Sequence, residues 1–154
     1  MTLLTTRVAP EWVDYNGHMN DAEYARVFSL AVDTLMERIE LDAEGRKSLA
    51  YTLFTLETHL CYRREAHQGQ ALAVEVLLLD RDAKRLHVFF TMRDEAGELL
   101  ATSEQMLMGI DTRSHRPAPF PPAVIEAIDA LPHAEEGDWP QAAGRRIGIP
   151  RSLP

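Results

Sequence analysis

The chain is 154 residues long and carries 24 acidic against 16 basic side chains, a formal charge of −8. That length suits one domain with a proper core, and 45% hydrophobic against 26% charged residues excludes wholesale disorder. The acidity argues against a nucleic-acid binder, because neutralising phosphates takes a basic footprint.

Apolar runs such as Val76–Leu79 fall far short of a membrane span, and Met1 to Tyr15 lacks the apolar core of a signal peptide. Cys61 is alone, which excludes an internal disulfide and fits a reducing compartment, so a cytoplasmic protein with no membrane partner is expected. The prolines divide the chain. Glu11 to Arg116 contains none, whereas eight fall between Pro117 and Pro154. The expected division is therefore a folded unit over 1–116 and a Pro-rich extension over 117–154.

In chain order, a short apolar start (Leu3, Leu4, Val8) leads through Pro10 into a polar-aromatic run, Trp12-Val13-Asp14-Tyr15-Asn16-Gly17-His18-Met19-Asn20. Asn20, with Glu23 three residues on, reads as a helix cap and its reciprocal partner. Tyr24, Val27, Phe28, Ala31, Val32, Leu35, Met36 and Ile39 then recur at helical spacing, predicting a helix over about Asp21–Glu40 with its exit near Gly45 and Arg46. From Tyr51 the period becomes two. Phe54, Leu56, Thr58, Leu60 and Tyr62 are expected on one strand face and Thr55, Glu57, His59, Cys61 and Arg63 on the other. Turns at His67–Gln70, Asp80–Arg85 and Asp94–Gly97 separate three further strands, the last running from Leu99 to Ile110. Pro122–Leu131 reads as a short helix with proline in its first turn. The expected class is α+β: a long central helix packed on a five-stranded antiparallel sheet. Such a sheet leaves edges to protect, so self-association as a homodimer or homotetramer is expected.

The loop before the helix is the best candidate for chemistry. Asp14 precedes a helix start, where unpaired amides and the dipole make a positive end. A carboxylate there suits acyl transfer: the acid attacks or activates water while the amides of Asn20 and Asp21 polarise a carbonyl. The same residues also read as a plain turn, with Asp14 and Asn16 bonding their own backbone and Gly17 taking a positive φ. His18 reads either as a general base or as a structural helix-start histidine, and Glu57 with His59 either as an acid–base pair or as solvated strand residues. The six histidines show no zinc spacing with Cys61, so no metal is expected. No Gly-rich phosphate loop occurs either.

The pattern Trp12-x-Asp14-Tyr15-Asn16-Gly17-His18-Met19-Asn20-x-Ala22-x-Tyr24 resembles the signature of hotdog-fold acyl-CoA thioesterases of the 4-hydroxybenzoyl-CoA thioesterase-like superfamily. Arg64-Glu65-Ala66-His67-Gln68-Gly69-Gln70-Ala71-Leu72-Ala73-Val74 resembles that family's turn between strands, and the resemblance spans roughly Leu4 to Ile110. It implies catalysis by Asp14, carbonyl polarisation near Asn20 and Asp21, coenzyme A as part of the substrate with no separate cofactor, and a site shared between two subunits. The Trp12–Met19 and Tyr51–His59 runs look closest to thioesterase domains associated with L-carnitine breakdown, whose expected substrate is betainyl-CoA. A quaternary ammonium acyl group needs rings or an acid beside it. Trp12, Tyr15, Tyr24 and Tyr51 offer rings, Glu57 a counter-charge, and His18 and His59 stand with them as expected substrate contacts. The basic residues Arg63, Arg64, Arg81, Lys84 and Arg85 are candidates to meet coenzyme A phosphates, Arg64 and Arg85 above all. A hotdog enoyl-CoA hydratase is the rival enzyme, but the proline of its D-x-N-P-x-H segment is missing from Asp14–His18 and the histidine comes one residue early. A non-catalytic acyl-CoA-binding dimer is the rival outside catalysis.

Overall fold

The structure, a computed structural model, describes residues 1–151. Five long strands form one antiparallel sheet: β1 (Thr2–Arg7), β2 (Tyr51–Tyr62), β3 (Ala71–Arg81), β4 (Arg85–Arg93) and β5 (Leu99–Asp111), in spatial order β1-β3-β4-β5-β2. A two-residue strand, β6 (Arg116–Pro117), is added on β5. The helices are α1 (Asp21–Arg38), α2 (Ala43–Leu49) and α3 (Pro122–Asp129). No helix among the described residues is long and apolar enough to cross a membrane.

The helical stripe read from the sequence is the buried face of α1: Tyr24, Val27, Phe28, Ala31, Val32, Leu35 and Met36 all leave solvent. They meet the inward faces of the strands, among them Leu72, Val74, Val76 and Leu78 of β3 and Leu86, Val88, Phe90 and Met92 of β4. Phe28 of the helix and Phe90 of the sheet face each other with ring centroids 6.3 Å apart. Phe120, Val124, Ile128 and Leu131 join the same core, so the region of α3 packs on the sheet and helix.

Three local expectations are corrected. Asn20 occupies the cap position of α1, but its side chain caps nothing, and Glu23 turns to Arg26 at 2.5 Å instead of back to the cap. A full opposite charge one turn along is the stronger partner for that carboxylate. Second, α1 ends at Arg38, and Gly45 and Arg46 lie inside α2, which the sequence did not announce. Asp42 caps α2 by accepting from the Gly45 N–H at 2.8 Å, and a Cβ at position 45 would run into the Glu40 carbonyl. Third, the pairing of β2 with β5 slips between Thr55 and Glu57, a bulge centred on Leu56. One extra residue swaps the faces of everything beyond it. Phe54 therefore does not share a face with Thr58, Leu60 and Tyr62: those three turn toward α1, while Phe54, Glu57, His59 and Cys61 turn away.

The sheet face away from α1 is crossed by the chain's last described segment. Trp139 stands edge-on to His87 at 5.2 Å, the Gly144 N–H donates to Glu104 Oε1 at 2.8 Å, and Arg145 reaches Cys61 Sγ at 3.4 Å. Glu104 uses its other oxygen on His87 Nε2 at 2.6 Å, so one carboxylate holds both the sheet and the strap. Phe89 and Thr102 bury on this face.

Candidate active site

Pro10–Trp12 makes one 3-10 turn and feeds the loop that carries Asp14. Val13 pairs back with Met19, the Asp14 N–H donates to the His18 carbonyl at 2.9 Å, and the Gly17 N–H donates to the Asp14 carbonyl at 3.0 Å. Gly17 closes this turn at φ +76°, a conformation that suits a residue without a Cβ. Asp14 Oδ1 accepts from the N–H groups of Asn16 at 2.8 Å and His18 at 3.1 Å. Oδ2 has no partner among the described residues, and the side chain is exposed. The turn reading and the chemical reading therefore describe one object: the turn fixes one carboxylate oxygen and leaves the other free.

The loop is hooked to the connection between β2 and β3. The Met19 N–H donates to the Ala66 carbonyl at 2.8 Å, and the Gln68 N–H donates to the Gly17 carbonyl at 3.0 Å. His18 sits 3.1 Å from Glu65 through Nδ1 and edge-on to His67 at 4.9 Å. Tyr24, buried, donates its hydroxyl to the Arg64 carbonyl at 3.3 Å and accepts from the Ala66 N–H at 3.0 Å. Burial pushes that hydroxyl above the ordinary tyrosine range; the Ala66 bond opposes the shift and the Glu65 charge adds to it. The two sequence motifs, some forty residues apart, are thus one hydrogen-bonded unit.

At the start of α1 the amides are unequal. The Asn20 N–H is committed to the Trp12 carbonyl at 2.9 Å, Ala22 to Asp21 Oδ1 at 2.9 Å, and Glu23 to the Asn20 carbonyl at 3.0 Å. The Asp21 N–H finds no acceptor among the described residues. Of the two amides named from sequence, Asp21 alone keeps its donor for an oxyanion.

Tyr62 is a site residue that sequence reasoning passed over. Its hydroxyl donates to the Asp21 carbonyl at 3.1 Å, its ring stands edge-on to Tyr24 at 5.1 Å, and it remains 49% exposed. With Met19, Asp21, Tyr24, Arg63 and Arg64 it lines a groove of about 280 Å³ beside the helix start. The alternation of β2 placed Tyr62 beside Leu60, but only the bulge at Leu56 decides that both turn toward α1.

The remaining expected residues divide. Trp12 packs partly into the core, Tyr15 projects into solvent at 96% exposure, and Arg64 lines the groove with its Nε 3.7 Å from Glu98. Tyr51 is not available as a ring for ligand. It is buried, donates to the Ala118 carbonyl at 2.7 Å, and burial raises its pKa strongly. Glu57 and His59 lie in a separate hollow of about 240 Å³ with His87, Glu104 and Arg145, on the sheet face away from α1. Arg85 closes the β3–β4 turn on Asp82 at 2.6 Å and, with the Lys84 amide, holds that carboxyl down at about 2. That turn lies at the other end of β3 from the Asp14 loop, about 35 Å away at ~3.3 Å per residue. Among the described residues no group of three or more His, Cys, Asp or Glu is placed to hold a metal ion.

The model of the Thioesterase-like superfamily matches residues 8–128. The chain is 43% identical to a betainyl-CoA thioesterase of Pseudomonas aeruginosa, over 97% of this chain and 96% of that protein. It is 42% identical to the L-carnitine dehydrogenase/betainyl-CoA thioesterase of Agrobacterium fabrum, over 88% of this chain but only 28% of that longer protein. A Staphylococcus aureus protein solved in complex with CoA superposes with a TM-score of 0.88 at 37% identity, covering 97% of this chain and 96% of that one.

Proposed function

The chain belongs to the thioesterase-like superfamily and is an acyl-CoA thioester hydrolase of hotdog fold, and on that premise we propose that it cleaves betainyl-CoA to betaine and coenzyme A at a site built on Asp14. The observation that carries the assignment is the Asp14 carboxylate, fixed through Oδ1 by two amides of its own turn, beside a helix whose first N–H has no acceptor. A thioester carbonyl polarised by the Asp21 N–H is open to attack by Oδ2 or by a water that Oδ2 deprotonates. Thiolate is a good leaving group, so the step needs a base and an oxyanion donor and calls on no resident metal or redox cofactor. The reading places this coenzyme-A-dependent hydrolysis in the cytoplasm.

The betainyl group is a fixed cation that accepts no hydrogen bond, so it is recognised by ring faces and carboxylates. Tyr62 on the groove wall and Tyr15 on the Asp14 loop supply rings. Within one chain Glu57 and His59 do not reach this groove, and we assign them to the groove of a second copy. β2 is an edge strand of twelve residues, paired on one side only, with Phe54 and Leu56 54% and 50% exposed. Such an edge invites antiparallel pairing with itself about a two-fold axis.

Two measurements bear on this. Sedimentation velocity should give a dimer or a dimer multiple, and the double change Phe54→Ser with Leu56→Lys should shift it toward monomer with loss of turnover. A panel of acyl-CoA esters read with a thiol reagent should show betainyl-CoA preferred over a neutral ester of the same shape. Glu57→Gln should reduce that preference by about tenfold, the scale of one ion-type contact at ~1.4 kcal/mol. An equal loss for both esters removes Glu57 from the cation site.

A further inference from the structure

The strap takes an ordered path over the sheet face away from α1. It starts on β3, where the Leu78 N–H donates to the Pro132 carbonyl at 2.8 Å and the Ala134 N–H to the Leu78 carbonyl at 3.1 Å. Trp139 then stands on His87 of β4, Gly144 is held by Glu104 of β5, and Arg145 reaches Cys61 of β2. These contacts follow the spatial order of the strands, so the strap leaves the sheet at the free edge of β2. What comes next has little support from its own chain. Ile147 and Ile149 are 86% and 77% exposed, although isoleucine ranks among the most buried residue types. Arg146 and Arg151 have no carboxylate within ion-pair distance among the described residues.

A matching surface lies on the same sheet face. Phe54 turns away from α1 at 54% exposure, and its cross-strand partner on β5 is Met108. The strap crosses at Glu104 and Cys61, further along both strands, and leaves Phe54 uncovered. Pairing β2 with itself over its twelve residues sets Cys61 against the partner's Thr52, two positions from the partner's Phe54. The two-fold axis then stands perpendicular to the sheet, and the outer faces of both copies run on as one surface. Residues 146–151 span up to ~20 Å at ~3.3 Å each, whereas neighbouring strands lie only ~4.8 Å apart. The reach is sufficient. We infer that residues 146–151 form an arm that lies on a second copy of this chain, with Ile147 and Ile149 covering the partner's Phe54 and Met108. Charge favours that occupant. Three of the 16 basic residues and none of the 24 acidic ones lie beyond Asp138, so the first 138 residues carry −11. The inference rests on the β2-edge dimer proposed above and goes beyond it: two arms clasp from outside a seam that the strands close edge to edge.

The test uses the full chain. Ile147→Ser with Ile149→Ser changes only exposed side chains, so the far-ultraviolet spectrum should stay as in the wild type. Sedimentation velocity over a dilution series should show the dimer dissociation constant raised about tenfold or more, since both arms lose buried apolar surface. Cross-linking then identifies what the arm touches. A chain carrying Ile147→Cys and Phe54→Cys in a Cys61→Ser background, treated with a short bifunctional maleimide, should yield a product of twice the chain mass. Neither Ile147→Cys nor Phe54→Cys alone should yield it. A link closed within one chain means that the arm folds back on its own sheet, which overturns the inference. So does a dimer that gives no link, or one whose dissociation constant the serine changes leave unmoved; in both cases the β2-edge dimer stands. A wild type that sediments as a monomer at every concentration refutes the dimer itself, and the arm with it.

Discussion

Asp14→Asn is expected to lower kcat for the preferred acyl-CoA by about a thousandfold, the scale of losing a positioned base or nucleophile, with the fold intact. The amide oxygen of asparagine still accepts from the Asn16 and His18 N–H groups, so the turn that holds the side chain survives. What disappears is the negative charge on the free oxygen. A stopped rate with an unchanged melting temperature and an unchanged KM assigns the loss to chemistry. Single turnover in heavy-oxygen water bears on the two routes: label in the Asp14 carboxylate marks direct attack with the mixed anhydride opened at the aspartyl carbon. Label in the product acid alone fits both activation of water and an anhydride opened at the acyl carbon, which hydroxylamine trapping of an acyl-enzyme tells apart. A rate within tenfold of wild type removes Asp14 from the reaction.

Phe28→Ala is expected to cost about 3–5 kcal/mol, from lost transfer energy and the cavity left behind. Phe28 is 1% exposed, faces Phe90, and sits midway between helix and sheet. Against a total stability of ~5–15 kcal/mol for a domain, such a loss lowers the melting temperature by about 10 °C or more at constant protein concentration. Calorimetry measures it. A drop of less than about 3 °C means that the layer between α1 and β4 repacks freely, contrary to the close fit described above.

The elements that were legible in the sequence are those whose pattern is local. The stripe from Tyr24 to Ile39 specifies α1 because helical spacing and burial coincide there, and the period-two runs of β3 and β4 do the same for the sheet. The bulge at Leu56 was not legible, since the slip is decided by how β2 meets β5, a partner about fifty residues on. The same holds for Glu57 and His59. Their alternation was read correctly, yet which layer they face depends on that slip. Asp14 was legible because the turn that fixes it lies within five residues. Tyr62 was not, because the end of β2 and the start of α1 meet around it only in three dimensions. Arg85 looked equivalent to Arg64 in a list of basic residues, but a carboxylate three positions earlier had already claimed it.

The hooking of the Asp14 loop onto residues 66–68 bears on how this protein can be redesigned. A graft of residues 12–24 alone into another scaffold carries the carboxylate but leaves the amide of Met19 and the carbonyl of Gly17 without their partners, and the Tyr24 hydroxyl without its own. The transferable module is therefore discontinuous: two segments, some forty residues apart in the chain, that must travel together.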